Sequence, residues 1–308
     1  MYACVAEYCS FVEDSREGFA EDLPTLISGE QLQALCDVSW MDHERIRYHT
    51  SLSRTAVKHF MHETHHADHG HVVFVYTDLL PQFLTSILPH RTKPFVLVTH
   101  NSDDSILESH KTSILNHPLL LHMYSQNTHI RHPKLTALPI GIANAHWPHG
   151  SVENFQTMIR NARPFSQKKS RVYANVNKNT NLNHRSQVMN SVQRYPFVDM
   201  VPPNKGHAAY LAELSSYKWV VSPKGNGVDC HRLWECLYAR CVPLLDDTEN
   251  AREFKEMGFP VILVKDWNAL SLDFLEKETL GLNVESYSSK LSLGYWGASF
   301  RSHGSGSV

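Results

Sequence analysis

One stretch of the chain gathers the residue types needed to hold a phosphate-bearing ligand: Ser222-Pro-Lys-Gly-Asn-Gly-Val-Asp-Cys-His-Arg-Leu-Trp-Glu235. Its glycines, Gly225 and Gly227, permit positive φ and close approach of a ligand to the backbone, so such a loop can wrap phosphates. A helix starting near Cys230 presents unpaired N–H groups and a positive dipole end to the same place. Arg232 falls in that first turn, where a cation opposes the dipole, and binding an anion offsets the cost. Glu235, three residues on, shares the face of Arg232 and can accept two hydrogen bonds from a ribose. The plainer alternative is an i,i+3 ion pair between Arg232 and Glu235. The glycine loop ahead of them favours a site.

Acids and a histidine also stand at the ends of two apolar runs, Thr77-Asp78 and Thr99-His-Asn-Ser-Asp-Asp104. An acid at the C-terminal end of a buried strand is expensive unless a pocket uses it. Asp103 and Asp104 have a competing role as caps of a helix beginning at Ser105. Neither Asp103-Asp104 nor Asp246-Asp247 has the Asp-x-Asp spacing of a metal motif. Asp246-Asp247-Thr248-Glu249 reads as a strand end capping the next helix. The segment His62-Glu-Thr-His-His66 matches HExxH literally, with His62 and His66 as ligands and Glu63 as base of a zinc hydrolase. In so histidine-rich a stretch the match is easily accidental, and the helix that carries it ends near His65, so it reads as a solvated helix end. No metal site and no cofactor are expected.

These groups need strands and helices to position them. Runs rich in β-branched and aromatic residues at 71–78 and 95–100 read as buried parallel strands, alternating with helices over 55–65, 79–88 and 105–116. Short apolar stretches follow at 119–124 and 135–140, then a linker-like segment at 144–151 and a polar one at 163–170. Beyond it the alternation is cleaner. Strands are expected at 171–175, 197–201, 219–222, 242–245 and 261–264, with helices at 183–195, 207–216, 230–240 and 250–257. Strand–helix alternation implies right-handed crossovers and parallel sheets, and ligands bind outside the carboxyl ends of such strands.

The stretch Ser222 to Leu245 resembles the donor-site motif of exostosin-like glycosyltransferases, in which Ser-Pro-x-Gly-x-Gly, an Asp, His-Arg and a Glu precede Gly-Cys-x-Pro. Arg240 replaces the small residue before Cys241. The resemblance is closest over 170–265, and compact relatives of this kind occur in bacteria and large algal viruses. It implies an α/β fold of two Rossmann-like domains facing across a cleft, the GT-B arrangement. It also implies an inverting mechanism without a metal, using a nucleotide-sugar donor (a UDP-sugar such as UDP-xylose) and a glycan or glycoprotein acceptor. On that footing Ser222, Lys224, Gly225, Asn226, Gly227, Asp229, His231, Arg232 and Glu235 face the donor. Asn175, Asn177, Thr180 and Arg185 join them from the preceding strand end, Arg185 balancing diphosphate charge in place of a cation. The base that takes the acceptor's proton is expected on the first domain, as Asp103, with Asp78 and His100 as alternatives. A non-catalytic binder of the same fold is the rival reading.

The expected domains are 1–165, on the acceptor side, and 166–283, which binds the nucleotide sugar. Residues 284–308 form a helix crossing back, anchored by Trp296, and a disordered tail from Ser302. Lys and Arg total 29 against 31 Asp and Glu, so the chain lacks the basic field that nucleic acid requires. Its six cysteines show no CxxC pair and read as reduced thiols. With no leader-like N-terminus and no apolar run of about 18 residues, the expectation is a soluble, cytoplasmic chain. Donor sugar, acceptor, linkage and oligomeric state are not written in the motif.

Overall fold

The computed structural model describes residues 25–40, 71–203, 206–284 and 288–304. The HExxH segment and its helix, the acidic N-terminal segments, Cys4 and Cys9 lie outside the described residues. The strands are β1 (Val38–Trp40), β2 (His71–Tyr76), β3 (Phe95–His100), β4 (Leu120–Ser125), β5 (Leu135–Ala137), β6 (Lys169–Ala174), β7 (Val198–Met200), β8 (Tyr217–Val221), β9 (Val242–Asp246) and β10 (Ile262–Val264). The helices are α1 (Gly29–Ala34), α2 (Leu80–Ser86), α3 (Val152–Asn161), α4 (Leu182–Val192), α5 (His207–Leu214), α6 (His231–Tyr238), α7 (Glu249–Glu256), α8 (Leu272–Thr279) and α9 (Leu293–Gly304).

They build two five-stranded sheets, β1-β2-β3-β4-β5 and β10-β9-β8-β6-β7, in which every pairing is parallel. The first sheet advances strand by strand, so right-handed crossovers place its connections on one face and leave the other to be covered from elsewhere. Phe83 of α2 meets Phe95 edge-on at 6.2 Å. On the opposite face, Tyr124, in register with Val98, meets Trp296 and Phe300 of α9 at 6.3 and 4.8 Å. The last helix thus lies on the face its own sheet leaves bare. Trp296 and Phe300 are 1% and 0% exposed.

In the second sheet the order in which the strands are laid down reverses between β6 and β8, all strands staying parallel. Strands on either side of such a switch point send their following loops apart and open a crevice at their carboxyl ends.

Three expectations are corrected. No helix spans 105–116: Ile106 forms a parallel bridge with Thr128, its N–H donating to Asn127 O and its carbonyl accepting from His129 N. Those backbone groups are spent on the bridge, and only a π-helical turn at Lys111–Leu115 remains. Asp103 and Asp104 therefore cap nothing there. The stretch 152–161, counted with the first domain and given no element, forms α3, whose Phe155, Met158 and Ile159 join the core of the second sheet. Packing thus ties 152–161 to the second half. Finally, Ser302 and His303 are helical, His303 stacking on His122 at 4.0 Å.

Candidate functional site

The loops after β6 and β8 meet at the switch point, joined by Arg185 of α4. The residue is 6% exposed. It donates from Nε to Lys224 O (3.0 Å), from Nη1 to Asn177 O (2.8 Å) and Thr180 Oγ1, and from Nη2 to Pro223 O (3.2 Å). Burial lowers its pKa, and four acceptors stabilise the charge in place of water. Arg185 thus holds the two loops in one shape, leaving little capacity for a phosphate.

The glycines answer to packing. Neither adopts positive φ; among the described glycines that conformation belongs to Gly141 and Gly258. A Cβ on Gly225 would lie 2.9 Å from Arg185 Nη2, and one on Gly227 would lie 2.5 Å from Asn127 Nδ2. Each is glycine because a side chain presses on the loop. Asp246 completes the frame, accepting from Lys224 N, His184 Nε2 and Trp267 Nε1, each at 2.8 Å. The cap of α7 is Thr248, accepting from Ala251 N at 3.2 Å, not the aspartates before it. Ser222 and Asn175 are buried, Ser222 Oγ beside Cys230 Sγ at 3.4 Å and Asn175 Nδ2 donating to Pro202 O at 3.1 Å.

Two cations remain available. Arg232, in the first turn of α6, donates from Nε to Tyr210 Oη at 3.2 Å. Its Nη1 and Nη2, and Lys224 Nζ, have no hydrogen-bond partner among the described residues. Tyr210 in turn donates to Glu235 Oε2 at 2.6 Å. In place of the direct Arg232–Glu235 ion pair weighed as the plainer alternative, the two are linked through a tyrosine, which fixes the carboxylate and aims the guanidinium. Burial works against the Arg232 charge, yet Tyr210 and Glu235 hold its pKa above the ordinary arginine value. No side chain caps α6, so the unpaired N–H groups of its first turn are open to an anion.

The first half closes on this site from the other side. Asp229, 5% exposed, accepts from Ile140 N at 2.8 Å and from Trp234 Nε1 at 3.0 Å, while its N–H donates to Asn127 Oδ1 at 3.0 Å. Burial raises its pKa to about 7. His231 Nδ1 donates to Gly141 O at 2.8 Å, and burial lowers its pKa. Both residues join the two halves, and Asp229 has no room for a donor. Asp103 is exposed and accepts from Asn226 Nδ2 at 3.1 Å, which brings it against the glycine loop. His100 is 1% exposed, with Nε2 at 3.0 Å from Pro139 O and Nδ1 at 3.1 Å from Asn101 Oδ1; burial pulls its pKa to about 4. As an alternative base it is corrected to a brace of the strand end. Asp78 lies in a 3-10 turn after β2. The sequence reading missed Tyr210, Asp246 as an anchor, and Asn127. Only Asp246 carried a signal, as a polar residue closing an apolar strand beside the glycine loop.

The family model described as RXYLT1 C-terminal domain matches residues 149–305. No curated protein matches the chain. Among solved structures, the glycotransferase of kitacinnamycin is similar at 12% identity and a TM-score of 0.32, over 76% of this chain and 72% of that one. A glycosyltransferase from Rickettsia africae ESF-5 is similar at 8% and 0.37, over 83% and 79%. Likeness at that level carries no argument.

Proposed function

The chain belongs to the RXYLT1 C-terminal domain family of exostosin-like glycosyltransferases, and we propose that it moves a sugar from a nucleoside-diphosphate sugar to a glycan hydroxyl with inversion. In this reading the two sheets are the halves of a GT-B enzyme, with the junction ahead of α3. The donor lies over the carboxyl ends of β6 and β8. The outer nitrogens of Arg232, Lys224 Nζ and the uncapped start of α6 take the diphosphate and stabilise it as it leaves, without need of a metal. Glu235, oriented by Tyr210, receives the ribose hydroxyls. Arg185, Asn175, Asn177, Thr180, Ser222, Gly225 and Gly227 shape the loops. Asp229 and His231 hold the first half in place.

Asp103, brought to the loop by Asn226, takes the acceptor's proton. The acceptor oxygen then attacks the anomeric carbon from the face opposite the diphosphate, which leaves with the bonding pair. UDP-xylose is the donor to try first.

The observation that carries the reading is Arg232: a cation in the first turn of a helix, held by Tyr210, with its outer nitrogens unengaged among the described residues. Arg232→Ala is expected to cut turnover about 100-fold or more while circular dichroism and the unfolding midpoint stay near wild type. Unchanged turnover would sink the proposal. A thermal-shift panel of nucleotide sugars and free diphosphates identifies the donor. The exposure of Asp103 favours a second reading, a binder of the same fold; such a protein is stabilised by a nucleoside diphosphate but releases none from any nucleotide sugar.

A further inference from the structure

An exposed indole stands in the linker between the two halves. Among the described residues Trp147 is the one exposed Trp, Tyr or Phe, with 53% of its surface in solvent. The turn beneath it is fastened throughout. Asn144 Oδ1 accepts from Glu30 N at 3.1 Å, and Asn144 Nδ2 donates to Asn101 Oδ1 at 3.2 Å. The Glu30 carboxylate, in the first turn of α1, accepts from Ala145 N at 3.1 Å and lies 3.2 Å from His146 Nδ1. Trp147 N returns to Asn144 O at 3.0 Å, and Gly150 N to Trp147 O at 2.9 Å. A Cβ on Gly150 would lie 2.1 Å from Asn144 O, so the turn closes only with glycine there. Pro148 fixes one more backbone angle. The indole is thus held out on a rigid support, which spares a ligand the cost of ordering it.

Its neighbours place it on the rim of the site. His149 extends the shelf, its ring 6.0 Å from the indole and inclined to it by 29°. The same imidazole meets His231 of α6 at 6.1 Å and His207 of α5 at 6.5 Å, both edge-on. Asn101, which holds the turn, lies two residues before Asp103, and the charge of Asp103 reaches His231. Shelf and base therefore border one space, beside Arg232. A pyranose ring joins a face of C–H bonds to a rim of hydroxyls. Its C–H bonds, polarised by the ring oxygens, suit the negative face of an indole, and its hydroxyls suit imidazole nitrogens at the edge. We propose that Trp147 is the acceptor's platform, stacking on the C–H face of a pyranose ring while His149 bonds a hydroxyl at its edge, so that the attacking hydroxyl is held before Asp103. This rests on the sugar-transfer reading and adds to it the acceptor's place and class: a ring with an open C–H face, not an acyclic polyol.

The test is fluorescence titration of the full chain with methyl β-xyloside, xylobiose, cellobiose and lactose, with xylitol as the ring-less control. Trp219, Trp234, Trp267 and Trp296 are at most 8% exposed, so among the described tryptophans the solvent-exposed emission reports Trp147. At least one of the sugars is expected to shift that emission to shorter wavelength and to saturate, and xylitol is not. By calorimetry, Trp147→Ala should bind that sugar about tenfold or more weakly, as loss of one stacked ring allows, with UDP and GDP affinities within about twofold of wild type. Trp147→Phe, which keeps a ring, should recover part of the sugar affinity. No response to any of these sugars, an equal response to xylitol, or unchanged sugar affinity in Trp147→Ala each overturn the proposal and leave the donor reading intact. Weaker nucleotide binding in Trp147→Ala also overturns it, because the indole then stacks on the nucleobase instead. If wild type binds no nucleoside diphosphate, the donor reading falls and the acceptor role falls with it, whatever the sugars do.

Discussion

Arg240 has φ of 54°, a conformation in which its Cβ crowds the carbonyl and which glycine adopts freely. It stands just past α6, where Cys241 N returns to Cys236 O at 2.8 Å to close the helix, the usual position for a left-handed terminator. Arg240→Gly should therefore raise stability by about 1 kcal/mol, read from the urea midpoint, without change in turnover, because the turn lies away from Arg232 and Glu235. The exostosin-like pattern has a small residue at this place, and the backbone now explains why. The motif itself was legible because glycines, Arg and Glu are distinctive residue types. Which of them are taken up in holding the loops was not. Arg185 is engaged by the carbonyls of residues 177, 223 and 224, and a carbonyl is the same in every residue. Likewise the need for Gly227 comes from Asn127, a hundred residues earlier, which no local reading pairs with it.

Among the elements, those of the second half were read nearly strand for strand, because parallel strands buried on both faces appear as continuous apolar runs. Where polar residues interrupt, legibility fell: α3 hides between a linker and a lysine-rich stretch, and Ile106 left its expected helix for a bridge. The end of the chain shows what packing adds to pattern. Trp296 of α9 is fully buried against the first sheet and donates from Nε1 to Lys290 O at 2.9 Å. Trp296→Ala should cost about 3–5 kcal/mol, seen as a lower urea midpoint. A surface change on the same helix, such as Ser302→Ala, should leave the midpoint within about 0.5 kcal/mol of wild type.

At the scale of the whole molecule, the halves are fastened by polar contacts that neither sheet discloses alone. Arg131 fans onto Glu249 and Glu256 at 3.2 and 3.0 Å, Glu253 Oε1 caps the edge strand at Ala137 N (2.8 Å), and Asn250 Nδ2 reaches Thr128 Oγ1 at 3.2 Å. Asp229 makes this junction sensitive to pH. Its folded pKa of about 7 lies above the ordinary aspartate value, so its protonated form is the one the junction favours. The contribution is fully present below about pH 4 and is lost as pH rises through 7. Asp229→Asn removes this dependence, so its destabilisation relative to wild type should be larger at pH 4.5 than at pH 7.5. Chemical denaturation at both values checks the sign.

The helix α9, lying on β2, β3 and β4, carries one more consequence. The segment matched by the family model, 149–305, includes α9 but not the surface on which α9 rests. Cut out as a fragment, it would carry Trp296 and Phe300 into water, and its glycine loop would lose Asn127. What is conventionally bounded as a domain is, in this molecule, a tenant of the sheet before it.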